Sequence, residues 1–140
     1  MTEILRARVF GKPKPQPRAR AFKPKGGNVR MYDPSTAEGW KNSIALSVKD
    51  QIPSEPINRA VEVEIEFAFP RPKSHVRANG KLKDWAPRQH TAKPDVDNLV
   101  KAVMDAFTSI GVWVDDTIVT KLTASKIYED GPTIIVVREA

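Results

Sequence analysis

The sequence predicts a single small domain of the α/β (α+β) class, with a mixed β-sheet flanked by two main helices. Three observations predict this fold. The chain has 140 residues, of which 40% are hydrophobic, and this suits one domain with a buried core. Several short segments alternate apolar and polar residues with the period of a strand. Two longer segments carry apolar residues at helical spacing, and strand-like segments lie on either side of them.

Four segments are predicted to form strands. The clearest is 61–69, where apolar residues alternate with Glu62, Glu64 and Glu66, a row that is expected to face solvent. The segment 3–11 predicts a first strand. The segments 115–128 and 132–139 predict two closing strands, joined around Asp130-Gly131.

Two segments are predicted to form helices. The first lies within 33–52, where Ser35 or Thr36 can act as the N-cap and the apolar side chains recur at helical spacing. The second begins at Asp95 and ends at Gly111. Its predicted apolar stripe consists of Leu99, Val100, Val103, Met104 and Phe107.

The composition excludes several classes of site. The chain has no cysteine, so disulfides, thiolate nucleophiles and cysteine-type zinc sites are ruled out, and a cytoplasmic location is expected. His75 and His90 are the two histidines of the chain, which disfavours a histidine-rich metal site. No apolar run approaches the roughly 18 residues that span a bilayer, so no membrane partner is expected.

The formal charge of +6 is concentrated in two segments, which favours a polyanionic partner. One is a proline-rich loop at 11–30 with a predicted hairpin tip near Gly26, and the other is a long loop at 70–94. Phe22 and Tyr32 could stack on DNA bases, although aromatic residues in a hairpin more often pack on their own sheet. The predicted DNA-contacting residues are Lys12, Lys14, Arg18, Arg20, Lys23, Lys25, Arg30 and Lys93.

A cluster of acids follows the second basic segment directly. For each acid alone there is an ordinary structural explanation: Asp95 can cap the helix, Asp97 suits the positive end of the helix dipole, and Lys101 can pair with Asp97 at i+4. Jointly, a tight return after the helix could bring Asp116 toward Asp95 and Asp97. Converging carboxylates suit a hard cation, so Mg²⁺ is favoured, with Mn²⁺ as a substitute.

Such a site beside basic segments predicts hydrolysis of a phosphodiester. A bound metal ion neutralises phosphate oxygens and lowers the pKa of water. Lys101 could donate to a phosphate oxygen or stabilise developing charge. The basic segments would hold the DNA backbone, because phosphate neutralisation dominates affinity for nucleic acids.

The segment 95–116, DVDNLVKAVMDAFTSIGVWVDD, resembles the signature of the RusA family of Holliday junction resolvases of bacteria and their phages. The family pattern is D-x-D-N, then lysine, then aspartate, then an apolar stretch with an aromatic residue that ends in paired aspartates. The matching residues are Asp95, Asp97, Asn98, Lys101, Asp105, Trp113, Asp115 and Asp116. A weaker likeness extends through the basic N-terminal region.

The resemblance implies a homodimer that binds four-way DNA junctions and nicks two opposing strands with Mg²⁺, in recombination and repair near the nucleoid. It implies that Asp95, Asp97 and Asp116 bind the metal and that Lys101 is essential. The apolar strands also favour a dimer, although a sheet covered by its own two helices would need no partner. Two alternatives stay open: a metal-dependent nuclease acting on other branched or flapped DNA, and a basic DNA-binding protein without catalytic activity.

Overall fold

The computed structural model describes residues 2–17 and 35–140. The strands are β1 (Glu3–Val9), β2 (Val61–Phe69), β3 (Val119–Tyr128) and β4 (Thr133–Glu139), and the helices are α1 (Ser35–Val48) and α2 (Val96–Ser109). Short 3₁₀ turns lie at Lys49–Gln51, Lys73–His75 and Asp116–Ile118. The predicted hairpin tip near Gly26 lies outside the described residues, as do the side chains of Ser35 and Thr36.

The sheet is mixed, as predicted, and its strand order is β1-β4-β2-β3. Strand β4 pairs antiparallel with both β1 and β2, whereas β2 and β3 run parallel. A parallel pair needs a long crossover between its strands, and here the crossover contains the 70–94 loop and α2. Because β3 and β4 are separated by β2, the turn at Asp130-Gly131 connects two strands that are not neighbours.

Both helices pack on one face of the sheet and form a single core with it. The alternation in β2 buries Val61, Val63, Ile65, Phe67 and Phe69 on this face. The glutamates between them lie on the opposite face, where Arg138 of β4 forms a 2.9 Å ion pair with Glu64. The glutamate row thus lies away from the core as predicted, although only Glu64 is exposed and Glu62 and Glu66 are half-buried. The apolar sheet face is covered within one chain.

Helix α2 ends where the sequence predicts. Gly111 has a φ angle of 84°, in the left-handed region that glycine adopts without a Cβ penalty. The Gly111 amide donates to the Thr108 carbonyl at 3.3 Å, and the Val112 amide donates to the Phe107 carbonyl at 3.0 Å. This pair of bonds is the Schellman motif, which satisfies carbonyls left open at a helix end. It turns the chain back toward the core at Trp113.

The 70–94 loop is organised around a small hairpin. Val76 and Leu82 form an antiparallel bridge, and the Arg77 amide donates to the Lys81 carbonyl at 2.8 Å. Gln89 bridges Ile127, so the loop returns alongside β3 before α2 begins. None of the helices in the described part of the chain is long and apolar enough to cross a bilayer.

Candidate functional site

Asp95 occupies the N-cap position of α2, as predicted, but its side chain makes no capping hydrogen bond. Its backbone carbonyl accepts from the Leu99 amide at 3.2 Å, and its carboxylate lies at the surface. The N-cap is therefore made by the backbone carbonyl of Asp95 and not by its side chain. A simple capping role would use the carboxylate, whereas here the carboxylate remains available for a ligand.

Asp97, Lys101 and Asp105 follow one another at i+4 on the exposed side of α2. In the described part of the chain, no ion pair joins Asp97 to Lys101, contrary to the simplest explanation for their spacing. Asp105 instead forms a 2.8 Å ion pair with Lys41 of α1. This contact ties the two helices together and gives Asp105 a structural partner. Sequence spacing alone could not identify Lys41, because it lies 64 positions away.

Asp115 and Asp116 follow Trp113, which is buried in the core. The Trp113 indole N–H donates to the Thr108 hydroxyl at 2.8 Å, and the ring packs on Phe107. Desolvation raises the pKa of the Asp116 carboxyl above its ordinary value. A hydrogen bond with Asp115 and the negative charges of Asp115 and Asp105 raise this pKa further. Asp116 thus lies near Asp105, the second acid within α2.

Asp116 lies near Asp105, whose negative charge acts on it. Asp95, the N-cap of α2, comes ten residues before Asp105, which corresponds to about 15 Å along the helix. Among residues 2–17 and 35–140, no group of three His, Asp or Glu side chains is arranged to hold a metal ion. The assignment of Asp95, Asp97 and Asp116 to one metal stays a prediction.

Two basic segments meet at the start of α2. The Gln16 amide donates to the Asn98 carbonyl at 3.1 Å, which lays the proline-rich segment against the first turn of the helix. Pro15, Lys93, Pro94, Asp95 and Asn98 line an open cleft there. Lys12 and Lys93 are exposed, and Lys14 is half-buried. The other predicted DNA contacts, Arg18, Arg20, Lys23, Lys25 and Arg30, lie outside the described residues.

Lys126 holds the turn that precedes Asp95. Its ammonium group donates to the Ala92 carbonyl at 2.7 Å and to the Pro94 carbonyl at 2.8 Å. Lys126 was missed as a site residue, although its position in the alternation of β3 could have identified it. It lies with Ala124 and Tyr128 on the side of the sheet that faces the helices, where a lysine needs hydrogen-bond partners.

We expect Lys126→Met to lower the free energy of unfolding by about 1–3 kcal/mol, because two carbonyls lose a charged donor. The amides of residues 91–95 should also exchange faster with solvent. Urea denaturation and hydrogen exchange measure both effects. Lys121→Met is the matched control, because Lys121 is an exposed residue of the same strand on the opposite face and should cost less than about 0.5 kcal/mol. Equal effects of the two substitutions would contradict this role of Lys126.

Residues 11–138 match the protein family described as "Endodeoxyribonuclease RusA", so the chain belongs to this family of nucleases. The chain is 33% identical to the uncharacterized protein YqaN of Bacillus subtilis (strain 168) over 141 aligned positions, which cover 98% of this chain and 97% of that protein. It is 21% identical to the crossover junction endodeoxyribonuclease RusA of Aquifex aeolicus (strain VF5) over 119 positions, covering 85% of this chain and 78% of the relative. These findings confirm the family suggested by the 95–116 motif.

Proposed function

We propose that the protein is a Mg²⁺-dependent, structure-specific endonuclease that resolves four-way DNA junctions by paired nicking during recombination and repair. One observation carries the proposal within the family. The exposed carboxylate of Asp95, which has no capping bond, lies in a cleft between two basic segments, six residues before Lys101. As part of the same proposal, the protein acts in the cytoplasm of a bacterium, at the nucleoid, and is encoded by the bacterium or by a phage.

The donor set at the site fits a hard cation. Its side chains offer carboxylate oxygens, and the chain has no cysteine. Both histidines are buried, and His90 stacks on Phe69 at 3.9 Å between ring centroids. Asp95, Asp97 and Asp116 would hold Mg²⁺ or, as a substitute, Mn²⁺. When bound, the ion supplies charge neutralisation at the scissile phosphate and a more acidic water.

The protein's own residues supply the remaining requirements. Lys101 is one turn beyond Asp97, where its ammonium group can donate to a phosphate oxygen and stabilise charge that develops there. Lys93 lines the cleft with Asp95, and Lys12 and Lys14 come just before Pro15, which lines the same cleft. All three can hold the DNA backbone by neutralising phosphates.

The homodimer belongs to the proposal because of the substrate's symmetry. A four-way junction has approximate two-fold symmetry, and two matched nicks require two sites, which a two-fold dimer supplies. The apolar sheet face gives no support, because α1 and α2 cover it. Light scattering at micromolar concentration, with and without junction DNA, tests for the dimer. A strict monomer that nicks junctions symmetrically would contradict the dimer.

A nicking assay tests the function directly. Four-way junction, flap and linear duplex of equal length are incubated with the protein, with and without Mg²⁺. The proposal expects paired nicks in the junction that require the metal. Preferential cutting of flaps would favour a nuclease for other branched DNA. Tight binding without any cleavage would favour a DNA-binding protein whose aspartates are structural.

We expect neutralisation of Lys12 and Lys93 together, each changed to Gln, to weaken binding to all DNA shapes. Each lost phosphate contact lowers the slope of log affinity against log salt by about 0.9, so two lower it by about 1.8. Fluorescence anisotropy over a salt series measures the slope. The matched control changes Arg8 and Lys121 to Gln, because both are exposed on the sheet face away from the helices. An equal change in slope for both pairs would place the DNA surface elsewhere.

A further inference from the structure

Trp85 is an exposed tryptophan in the basic 70–94 loop. Its relative exposure is 61%, whereas Trp40 and Trp113 are 4% and 1% exposed. An indole in water contributes little to the fold, because the apolar area that would stabilise it stays solvated. Tryptophan is enriched at binding interfaces, where an apolar ring meets a partly polar surface. The exposed ring is therefore a candidate contact for a ligand outside the fold.

The Trp85 indole is held in place by ring contacts and by backbone hydrogen bonds of its turn. Its edge packs on the His75 ring, with centroids 5.3 Å apart, and His75 packs in turn on Tyr128 of β3 at 4.9 Å. The Lys83 amide donates to the His75 carbonyl at 2.9 Å, and the Ala86 amide donates to the Lys83 carbonyl at 3.0 Å. These contacts fix the turn that carries Trp85. A fixed aromatic ring loses little conformational entropy when a ligand stacks on it.

One cation lies over the ring, and other basic residues belong to the same loop. The Lys83 ammonium lies 5.7 Å from the Trp85 ring centroid. Asp84 is the acid of this loop, and Arg77 pairs with it at 3.2 Å. The other basic residues of the loop are Arg71, Lys73, Lys81, Arg88 and Lys93. Cations around an exposed aromatic ring fit a polyanion that also presents flat rings, which is the chemistry of nucleic acid with unstacked bases.

The same loop leads into the candidate site. The Tyr128 amide donates to the Arg88 carbonyl at 2.8 Å, and the His90 amide donates to the Lys126 carbonyl at 3.0 Å. Lys126 then holds Ala92 and Pro94, next to Asp95. The chain from Trp85 to Asp95 is thus bonded to one strand along its length. Trp85 keeps a fixed position relative to the acidic motif.

We propose that Trp85 stacks on an unpaired or unstacked base of branched DNA, while cations of the same loop contact the neighbouring phosphates. The proposal rests on the nuclease function above and adds a residue that distinguishes branched DNA from continuous duplex. Bases in an intact duplex already stack on one another and gain little from the indole. Bases at a branch point have a free face, and stacking on tryptophan stabilises them.

The test compares Trp85→Ala with Trp85→Phe, which retains an aromatic ring, and with Leu82→Ala, which removes a 49% exposed apolar side chain from the same loop. Binding is measured by anisotropy without divalent metal on a four-way junction and on linear duplex. Trp85→Ala should weaken junction binding by roughly 5- to 150-fold, the equivalent of one lost stacking contact. Duplex binding and the salt slope should stay unchanged. Trp85→Phe should retain part of the affinity, and Leu82→Ala should resemble the unchanged protein.

A second readout uses 2-aminopurine at the junction centre. Stacking on the indole should quench its fluorescence when the unchanged protein binds at saturation, and Trp85→Ala should not quench it. Equal losses on junction and duplex, or junction affinity and quenching unaltered in Trp85→Ala, would overturn the stacking role. If affinity and quenching were unaltered, the exposed Trp85 ring would fit contact with a protein partner instead. If the unchanged protein neither binds nor cuts branched DNA, the nuclease function itself fails. Unchanged melting temperatures verify that the variants are folded.

Discussion

Asp97→Asn is expected to abolish junction cleavage while junction binding stays the same or becomes tighter. Asp97 is exposed in the first turn of α2, next to the cleft at Asp95, and it has no ion pair with Lys101. Asparagine keeps the size of the side chain but removes the negative charge that a hard cation requires. DNA affinity comes from the basic segments, so removing a negative charge near the phosphates should not weaken it.

Single-turnover nicking at saturating protein with Mg²⁺ measures the effect. The rate should fall by at least roughly a thousandfold, which corresponds to about 4 kcal/mol in activation free energy. Asp130→Asn is the matched control, because it makes the same chemical change in the exposed turn between β3 and β4 and should leave the rate intact. A variant at Asp97 that lost junction binding but kept normal turnover would show that Asp97 belongs to the binding surface.

Trp113→Ala should have the largest effect on stability, about 3–5 kcal/mol of the free energy of unfolding. The ring is 1% exposed, packs on Phe107 with centroids 5.4 Å apart and donates to the Thr108 hydroxyl. Alanine would leave a cavity among residues that already meet tightly. On either side of the ring, Ile57 bonds to the Val112 carbonyl and the Val114 amide, each at 3.0 Å. Loss of the ring therefore also loosens the approach to Asp115 and Asp116.

Urea denaturation of Trp113→Ala and Trp113→Phe separates packing from hydrogen bonding. Phenylalanine fills much of the space of the indole, so Trp113→Phe should lose less packing free energy than Trp113→Ala. Phenylalanine cannot donate to Thr108, so Trp113→Phe should still lose about 0.5–1.5 kcal/mol for the hydrogen bond. If both variants lost the same free energy, the hydrogen bond and not the ring would be the main contribution. If neither lost more than about 1 kcal/mol, the anchor assigned to Trp113 would be wrong.

Local patterns were sufficient to predict the strands, the helices and the class of the fold. The alternation in β2 follows directly from one face being buried, and the end of α2 follows from the conformational freedom of Gly111. The family signature was likewise local, because its residues lie within a single segment. The sequence did not give the order of the strands, however: β3 and β4 are consecutive along the chain, yet β2 lies between them in the sheet. Strand order depends on crossover connections, which alternation does not encode.

The parts of the site that sequence reasoning missed depend on distant contacts. Lys41 reaches Asp105 from another helix, and Lys126 reaches Pro94 across 32 positions. Trp85 was one aromatic residue in a long loop without periodicity, and only its exposure sets it apart. The convergence expected for Asp95, Asp97 and Asp116 depends on where the return after α2 places Asp116, and it stays a prediction. The contact that the structure adds is with Asp105, whose negative charge acts on Asp116.

Strand β3 acts as a spacer between the two halves of the acidic motif. Asp116 precedes the strand, and Lys126, near its far end, fixes the turn before Asp95. After a register shift between Val61 and Glu62, β3 is aligned residue by residue with buried β2 from Lys121 to Tyr128, which fixes the spacing over this stretch. Within the stretch, a change of one residue would reverse the faces and remove Lys126 from the turn, whereas a change of two would keep the faces but alter the spacing by about 6.6 Å. Natural variation in the length of this segment should therefore be much smaller than in the loops on either side.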